Sequence, residues 1–262
     1  MTIPLYQIDA FAEEVFQGNP AAVCPLREWL ADERMQAIAA ENNLSETAFF
    51  VPGAEPGDYD LRWFTPAAEV DLCGHATLAS AYLILSRLAP DLDAVRFSTL
   101  SGILEVCRDG DRLAMDFPAR PPGVYDPPPG LIEALGAEPE GVLASQRDAM
   151  AVYGDEATVR SLAPDIRGLA AIGREGVIVT APGDDCDFVS RFFAPALGVD
   201  EDPVTGSTHC TLTPYWAERL GKTELHARQV SARGGNLYCR ALGERVRIAG
   251  RARLYLEGTL AL

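Results

Sequence analysis

The sequence predicts an α+β protein built from two similar halves. Three observations support this fold class. Many short stretches of alternating apolar and polar residues, each bounded by turn residues, are typical of strands. Only two long stretches, 74–88 and 208–220, have the apolar character of buried helices. A proline cluster within 118–130 reads as a linker, after which the pattern begins again, and we therefore expect domains at 1–118 and 119–262.

In the first half, the alternating stretches predict strands separated by short turns and by two helices. The first helix is predicted over 28–43, with Trp29, Met35, Ile38 and Ala39 on its inward side. The second helix has few polar residues before its end, which indicates burial on most sides. The strands of this half are predicted at 5–11, 21–24, 47–51, 59–65, 95–98, 103–107 and 113–117.

The second half repeats this organisation. In this half, Thr205-Gly206-Ser207 stands before the buried helix. In the first half, Cys73 stands before the buried helix, which begins with Gly74-His75. Each helix start thus combines a glycine with nearby hydroxyl residues, which favours a duplicated unit. The strands of this half are predicted at 142–144, 149–152, 176–180, 187–193, 226–230, 237–241, 246–249 and 252–256.

The charge of the chain disfavours several classes of partner. With 22 basic and 38 acidic residues, the formal net charge is −16. Such a surface repels phosphate backbones and anionic lipid, so we expect no nucleic-acid and no membrane partner. The one lysine, Lys222, precedes Thr223, but Trp216 stands where a P-loop requires a glycine. Lys222 also lacks the apolar surroundings that a Schiff-base lysine needs.

The cysteines and the N-terminus indicate a cytosolic protein. The six cysteines form no C-x-x-C pair, and no histidine lies at zinc-finger spacing from them. A structural zinc site or a disulfide framework is therefore not expected, and reduced thiols fit a cytosol. The first residues lack the basic and apolar segments of a signal peptide.

The two helix starts are candidate anion sites. A helix N-terminus has unpaired backbone N–H groups and the positive end of the helix dipole, so it can hold a carboxylate without a lysine or arginine. Gly74-His75 and Gly206-Ser207 are both such starts. Simple N-caps are the alternative interpretation of each segment.

Four side chains near these segments are candidates for acid–base chemistry, and each also has a structural interpretation. Glu46, between a helix and a strand, is either a base or a solvated residue. Asp202, before a proline, is compatible with an Asx-turn. His75 is a proton donor or a residue that holds a loop, and Cys73 is a base activated by the helix start or a packing residue.

Taken together, these segments resemble the PhzF family of phenazine biosynthesis-like isomerases, whose fold is that of diaminopimelate epimerase. The resemblance runs from near residue 5 to near residue 258. It implies two similar domains, each a strand-rich barrel around a central helix, with the last strand returning to the first domain. The segments that carry it are 9–11 with 16–23, 42–49, 62–66 with 69–70, 73–77, 191–195 and 201–207.

The resemblance also implies a function. In the family's namesake enzyme, the glutamate that matches Glu46 moves a proton on a small ring acid, without a metal or an organic cofactor. We therefore expect a cofactor-independent isomerase that acts on a small carboxylic acid bound between the two domains, and commonly a homodimer. The expected catalytic residues are Glu46, His75 and Asp202, and the expected substrate-binding residues are Cys73, Gly74, Thr205, Gly206 and Ser207.

Two alternatives stay open. Proline racemases and diaminopimelate epimerase share this fold and use two cysteines, of which Cys73 would be the first. The second would lie near Asp202, where none occurs, and Cys210 lies inside the predicted helix, so an amino-acid racemase is the lesser interpretation. The other alternative is a non-catalytic protein that binds small acids, although such a protein has no need of a base.

Overall fold

The computed structural model of the protein describes residues 2–262. It divides into two compact units. The first comprises Met1–Asp116 and Ala249–Leu262, and the second comprises Phe117–Ile248. The proline-rich segment 118–130 therefore lies at the beginning of the second unit.

The first unit is formed mainly by strands, numbered here along the whole chain. All of the strands that the apolar–polar alternation predicts for the first half are present, in the predicted sequence along the chain. One further short strand, β5, was not predicted. The strands of the unit are β1 (Thr2–Ala10), β2 (Asn19–Pro25), β3 (Glu46–Pro52), β4 (Asp58–Phe64), β5 (Glu69–Val70), β6 (Ala94–Thr99), β7 (Gly102–Asp109), β8 (Arg112–Pro118) and, from the end of the chain, β17 (Ala252–Ala261).

These strands pair in the order β17-β1-β2-β3-β4-β6-β7-β8. The β2–β3 and β4–β6 pairs are parallel, and the others are antiparallel. Parallel neighbours need a crossover connection, commonly a helix. Helix α1 (Asp32–Asn42) supplies it for the first pair, and helix α2 (Gly74–Leu83) lies in the crossover of the second.

Helix α2 is the buried helix of this unit, as predicted. Nearly all of its side chains are buried, and it contacts β1, β2 and β3. The predicted helix continues to Leu88, but its last part, Ile84–Leu88, is a π-helical turn in which the Ala89 N–H donates to the Ile84 carbonyl at 2.7 Å. The Arg108 guanidinium donates to the Leu85 carbonyl at 2.5 Å, and so gives a partner to one of the last carbonyl groups of this helix.

The predicted start of α1 at residue 28 is wrong by about one turn. The helix begins at Asp32, where Asp32 and Glu33 give the first turn two acidic side chains that suit the helix dipole. Met35, Ile38 and Ala39 are buried as predicted. Trp29 lies before the helix and is half-buried there.

The second unit contains another set of strands and its own buried helix. Helices α3 (Leu131–Leu135), α4 (Glu156–Ser161) and α5 (Ile166–Ala170) are short and were not predicted, because five or six residues show no measurable helical periodicity. The strand β9 was missed because two residues are too few to show an alternation. The strands are β9 (Gly123–Val124), β10 (Gly141–Ala144), β11 (Asp148–Val152), β12 (Gly176–Pro182), β13 (Phe188–Phe193), β14 (Glu224–Gln229), β15 (Gly235–Leu242) and β16 (Arg245–Gly250), and the buried helix is α6 (His209–Leu220).

The strand pairing of the second unit repeats that of the first. The pairs β10–β11, β12–β13 and β14–β15 are antiparallel, whereas β11–β12 and β13–β14 are parallel. The first unit has the same succession: β1–β2, β3–β4 and β6–β7 are antiparallel, and the pairs between them, β2–β3 and β4–β6, are parallel. In each unit the buried helix precedes the strand that completes the second parallel pair. The predicted α+β fold of two similar domains is confirmed.

Helix α6 contains an internal proline, Pro214, which has no N–H to donate to the carbonyl four residues earlier. That carbonyl belongs to Cys210, and it accepts instead from the Arg120 N–H at 2.8 Å. Beyond the proline, the Trp216 indole donates to Thr180 Oγ1 at 2.9 Å and stacks on Phe188. The helix is thereby held by buried contacts on both sides of the break. Among residues 2–262, no helix has both the length and the apolar character needed to cross a membrane.

Candidate active site

Three elements of the first unit begin at one place. Strands β2 and β3 are parallel, with Ala21 opposite Glu46, so the beginnings of both strands lie at the same edge. Helix α2 contacts both strands and begins with Gly74-His75. The fold therefore brings together Asn19 at the start of β2, Glu46 at the start of β3 and His75 in the first turn of α2.

These side chains form a contiguous polar cluster. Glu46 Oε2 and His75 Nε2 lie 3.0 Å apart, and outside this pair neither atom has a hydrogen-bond partner among residues 2–262. On the other edge of the ring, His75 Nδ1 lies 3.2 Å from Asn19 Nδ2 and 3.6 Å from Cys73 Sγ. Ser45 Oγ donates to Asn19 Oδ1 at 3.4 Å. Glu46 is more exposed than His75, with 18% of its side chain accessible against 7%.

The Asn19 amide fixes the proton on the histidine when it is oriented with Oδ1 towards Ser45. Its Nδ2 then donates to His75 Nδ1, so the ring proton of the neutral form lies on Nε2 and points to Glu46. Burial by itself disfavours the charged ring, but the hydrogen bond with the Cys73 sulfur and the charge and hydrogen bond of the Glu46 carboxylate act in the opposite sense. The pKa of His75 is therefore raised well above its usual value.

The neighbouring thiol is a poor base at neutral pH. Burial, with the nearby Glu46 charge, raises the pKa of Cys73 to about 11. The thiol therefore carries its proton near pH 7, which argues against the resting thiolate that a cysteine-based racemase requires.

The first turn of α2 is not capped by the side chain of its N-cap residue. Its N-cap residue, Cys73, is extended and makes no side-chain capping hydrogen bond within the described chain. Thr77, which could have acted as an acceptor, donates its hydroxyl to the Cys73 carbonyl at 2.6 Å. The backbone N–H groups of Gly74 and His75 thus have no side-chain cap from this turn.

Asn19 reaches the histidine because of a glycine turn. Gly18 has φ +67°, a backbone conformation that side chains disfavour, and a Cβ there would lie 2.1 Å from the Ala10 carbonyl oxygen. Asp9 Oδ2 accepts from the Phe16 N–H at 2.8 Å and closes the same loop. Glycine is therefore required for the position of Asn19, which is fully buried.

In the second unit, the segment before α6 is ordered by a buried glutamine. Gln229 Oε1 accepts from the Thr205 N–H at 2.9 Å, and its Nε2 donates to the Asp202 carbonyl at 2.7 Å. The Thr205 hydroxyl in turn donates to the Asp202 carboxylate in a short hydrogen bond. The Asp202 carboxylate is therefore bonded to the Thr205 side chain, and Gln229 holds both ends of this segment in place.

The histidine at the start of α6 is structural. His209 is fully buried, and its Nδ1 donates to the Thr205 carbonyl at 2.8 Å. The Thr208 hydroxyl donates to the same carbonyl at 2.9 Å. Burial lowers the pKa of His209 to about 4, so the ring is neutral at physiological pH.

An arginine contacts the predicted substrate-binding serine. Arg147 Nη2 donates to Ser207 Oγ at 3.0 Å, and its Nε lies 3.3 Å from Asp148 and 3.4 Å from Glu175. Burial raises the pKa of Asp148, an effect that the Arg147 charge opposes without cancelling it. Arg147 thus supplies a positive charge beside Ser207 that sequence reasoning did not identify.

The structure therefore places the predicted site residues in two groups. Glu46, Cys73, Gly74 and His75 lie together in the first unit, and the second unit holds Asp202 with the other predicted residues of the segment before α6. Sequence reasoning missed Asn19, Arg147 and Gln229. Of these, only Asn19 stands in a recognisable local motif, the Gly-Asn-Pro turn. The other two stand in no such motif, and their partners are distant in sequence. The second group consists of Asp202, Thr205, Gly206 and Ser207.

Two solved structures show where this fold occurs, one at low and one at high sequence identity. A structure described as a probable proline racemase from Agrobacterium radiobacter has a TM-score of 0.65 over 99% of this chain and 93% of its own, at 12% identity, a level that shows the fold alone. A PhzF-family structure from Enterococcus faecalis is far more similar, with a TM-score of 0.96 and 48% identity over the whole of both chains.

The family follows from the sequence comparisons. Residues 8–258 match the family described as phenazine biosynthesis-like protein, PhzC-PhzF. A Pseudomonas aeruginosa protein named as an uncharacterized isomerase is 56% identical over 262 residues, covering all of both chains. The human phenazine biosynthesis-like domain-containing protein is 39% identical over 291 residues, covering 99% of each. The chain belongs to the PhzF family of phenazine biosynthesis-like isomerases, and both the predicted family and the predicted enzyme class are confirmed.

Proposed function

We propose that this isomerase moves a proton between two carbon atoms of a small carboxylic acid, with Glu46 as the base. The observation that carries the proposal is the Glu46–His75 pair. A half-buried carboxylate lies 3.0 Å from a buried ring nitrogen, at the uncapped start of a buried helix. Acid–base groups at such a distance can exchange a proton directly.

In this proposal, Glu46 takes a carbon-bound proton from the substrate and forms a carboxylic acid. The electron pair left behind is delocalised into the conjugated system of the substrate. The proton then returns to a different carbon, either from Glu46 or through His75 Nε2, so that no oxidant, reductant or cofactor is consumed. The raised pKa of His75 suits a group that must hold a proton before it is delivered.

The substrate carboxylate is proposed to bind at the helix starts. The backbone N–H groups at Gly74 and Gly206, together with the hydroxyl of Ser207, are the candidate donors. Such donors stabilise negative charge as it develops in the transition state. Asp202 is proposed to assist proton transfer, as the family resemblance implies, with the acid bound between the two domains.

The test is proton exchange with solvent. A panel of small conjugated and amino-bearing carboxylic acids is incubated with the protein in deuterium oxide, and incorporation at carbon is followed by NMR. We expect exchange at a carbon of an unsaturated acid. Replacement of Glu46→Gln should lower the exchange rate by about 100-fold or more, since it keeps the shape and removes the base.

Glu41→Gln is the matched control, because Glu41 is exposed in the same part of the chain. It should exchange at the wild-type rate. A Glu46→Gln rate within about threefold of wild type would refute the assignment of the base. Exchange at the Cα of amino acids would favour the racemase instead, and tight binding of acids with no exchange would favour a binding protein.

We further propose that the protein is a cytosolic homodimer. The dimer rests on the family resemblance, and the cytosol on the six cysteines, which are all free thiols in the structure. Sedimentation equilibrium tests the dimer: a mass near twice 28.2 kDa is expected, and the mass of a single chain would contradict it.

A further inference from the structure

A chain of hydrogen bonds with a fixed direction ends on the Asp202 carboxylate. The Gln229 side chain contacts two backbone groups and the Thr205 hydroxyl, and this hydroxyl in turn contacts Asp202. Both Gln229 and Thr205 are buried. We propose that Thr205 is a positioning residue, whose hydroxyl orients the Asp202 carboxylate and keeps it an acceptor. This role differs from the substrate-binding role that the sequence predicts for Thr205.

Two backbone groups fix the orientation of the Gln229 amide. The Thr205 N–H can only donate, so the amide atom 2.9 Å from it is the oxygen, Oε1. The Asp202 carbonyl can only accept, so the amide atom 2.7 Å from it is the nitrogen, Nε2. A flipped amide would bring two donors together at one end and two acceptors together at the other. The positions of the amide oxygen and nitrogen therefore follow from the chemistry of their neighbours.

The second proton on Gln229 Nε2 determines what the Thr205 hydroxyl can do. Nε2 donates to Thr205 Oγ1 at 3.2 Å, so the hydroxyl oxygen is an acceptor in this contact. The hydroxyl has a single proton, and an ionised carboxylate can only accept. Thr205 Oγ1 therefore donates that proton to Asp202 Oδ2. With its proton committed in this way, the hydroxyl has none left to donate to a substrate carboxylate.

The Thr205 hydroxyl acts on the part of Asp202 that the backbone contacts leave out. The Asp202 N–H donates to the Phe192 carbonyl at 3.0 Å, and the Asp202 carbonyl accepts from Gln229. These bonds hold the backbone, whereas the bond from Thr205 limits the rotation of the side chain. A donated hydrogen bond also favours the charged form of a carboxylate. Asp202 is thereby kept as an acceptor, which can receive a proton or hold a donor group of a substrate.

The part of the inference that concerns the reaction rests on the proposed function, in which Asp202 assists proton transfer. The order of the hydrogen bonds does not rest on it. Two measurements on one set of variants separate the two parts: the titration of Asp202, and the exchange of substrate protons with solvent. Thr205→Val removes the hydroxyl and keeps the shape of the side chain, whereas Thr205→Ser keeps the hydroxyl.

The titration of Asp202 is followed by ¹³C NMR of its carboxyl carbon, which is assigned by the loss of its signal in Asp202→Ala. In Thr205→Val, Asp202 should take up its proton at a pH about one unit higher than in the wild type, because its charged form loses a hydrogen bond. Thr205→Ser should restore the wild-type titration. Thr208→Val is the matched control, since the Thr208 hydroxyl donates to the Thr205 carbonyl and not to the carboxylate. This control should leave the titration of Asp202 unchanged.

Two results would overturn the assignment of the hydrogen bond. One is a titration of Asp202 in Thr205→Val that matches the wild type. The other is a shift of equal size in Thr208→Val, which would show a general loosening of the segment. If Thr205→Val does not fold, as judged by circular dichroism, Thr205→Ala removes the same hydroxyl with a smaller side chain, and the same comparison decides.

Proton exchange in deuterium oxide tests the role in the reaction, with the acid of the panel that the wild type exchanges fastest. Thr205→Val should lower the exchange rate about tenfold or more, and Thr205→Ser should stay within about threefold of the wild type. In the Asp202→Ala background, Thr205→Val should cause no further loss, because a residue that acts through Asp202 has nothing left to position.

A shifted titration with an unchanged exchange rate in Thr205→Val would refute the positioning role in the reaction. A further loss of rate in the Asp202→Ala background would refute it as well. If no acid of the panel exchanges with the wild type, the proposed function fails, and the titration still decides whether Thr205 holds the Asp202 carboxylate.

Discussion

Acidification should destabilise the protein through His209. This ring is fully buried beside Phe188, with its Nδ1 proton donated to the Thr205 carbonyl. Its Nε2 is buried and has no hydrogen-bond partner in the described part of the chain. A second proton would have to sit on that nitrogen, where nothing accepts it, so burial holds the pKa at about 4.

The loss of stability follows from the pKa of His209 in the unfolded and the folded chain. In the unfolded chain a histidine has a pKa of about 6.5. As the pH falls, the unfolded chain therefore takes up the proton first, and the folded state loses stability between the unfolded pKa and the folded pKa of about 4. The free energy of unfolding should fall by about 2 kcal/mol between pH 7 and pH 5 from this group alone.

Urea unfolding at pH 7 and pH 5, followed by circular dichroism, measures the fall. Carboxylates add their own pH dependence, so the comparison is with His209→Gln, which does not titrate. The fall in unfolding free energy should be about 2 kcal/mol smaller in that variant than in the wild type. The control His226→Gln retains His209 and should show the wild-type fall. Equal falls in the wild type and His209→Gln would refute the reasoning.

Three further predictions follow from the site. Gly18→Ala should lower the free energy of unfolding clearly more than Gly110→Ala does, as measured by thermal or urea unfolding. Both glycines have a positive φ, at which alanine costs about 1 kcal/mol, but only at Gly18 would the new Cβ meet a backbone atom. Equal losses in the two variants would contradict this. Gln229→Leu should lower the free energy of unfolding by about 2 kcal/mol or more, because it leaves buried backbone groups unpaired; a loss under about 0.5 kcal/mol would contradict it. Glu46→Gln should lower the pKa of His75, since the ring stays buried and loses its anionic neighbour; NMR titration of the ring measures this, and an unchanged value would show that the carboxylate is not its partner.

Local patterns predicted the elements of the fold, and the resemblance predicted its arrangement. The alternation in 59–65 is enough to identify β4, and the apolar stretch 74–88 is enough to identify α2. The π-helical turn at the end of α2 was not predicted, and the contact of its Leu85 carbonyl with Arg108, which lies beyond the next strand, has no signal in the local sequence. Helix α4 was missed although Asp155 caps it through the Thr158 N–H, since so short a helix has no periodic face.

The candidate site was predictable where its residues are close in sequence. Cys73 and His75 stand two residues apart at a glycine helix start, so their proximity follows from local structure. The contact of Asn19 with His75 spans 56 residues and depends on the parallel register of β2 and β3. Likewise, Arg147 reaches Ser207 across 60 residues of chain. Such contacts are set by strand pairing, which a single sequence does not specify.

The central claim, that Glu46 is the base, is tested most directly by a crystal structure with the acid found to exchange its proton. The proposal predicts that the exchanging carbon lies about 3–3.5 Å from a Glu46 carboxylate oxygen, with the substrate carboxylate at the backbone N–H groups of Gly74. An acid bound in this cluster with that carbon out of reach of Glu46, and nearest to Cys73 instead, would contradict it.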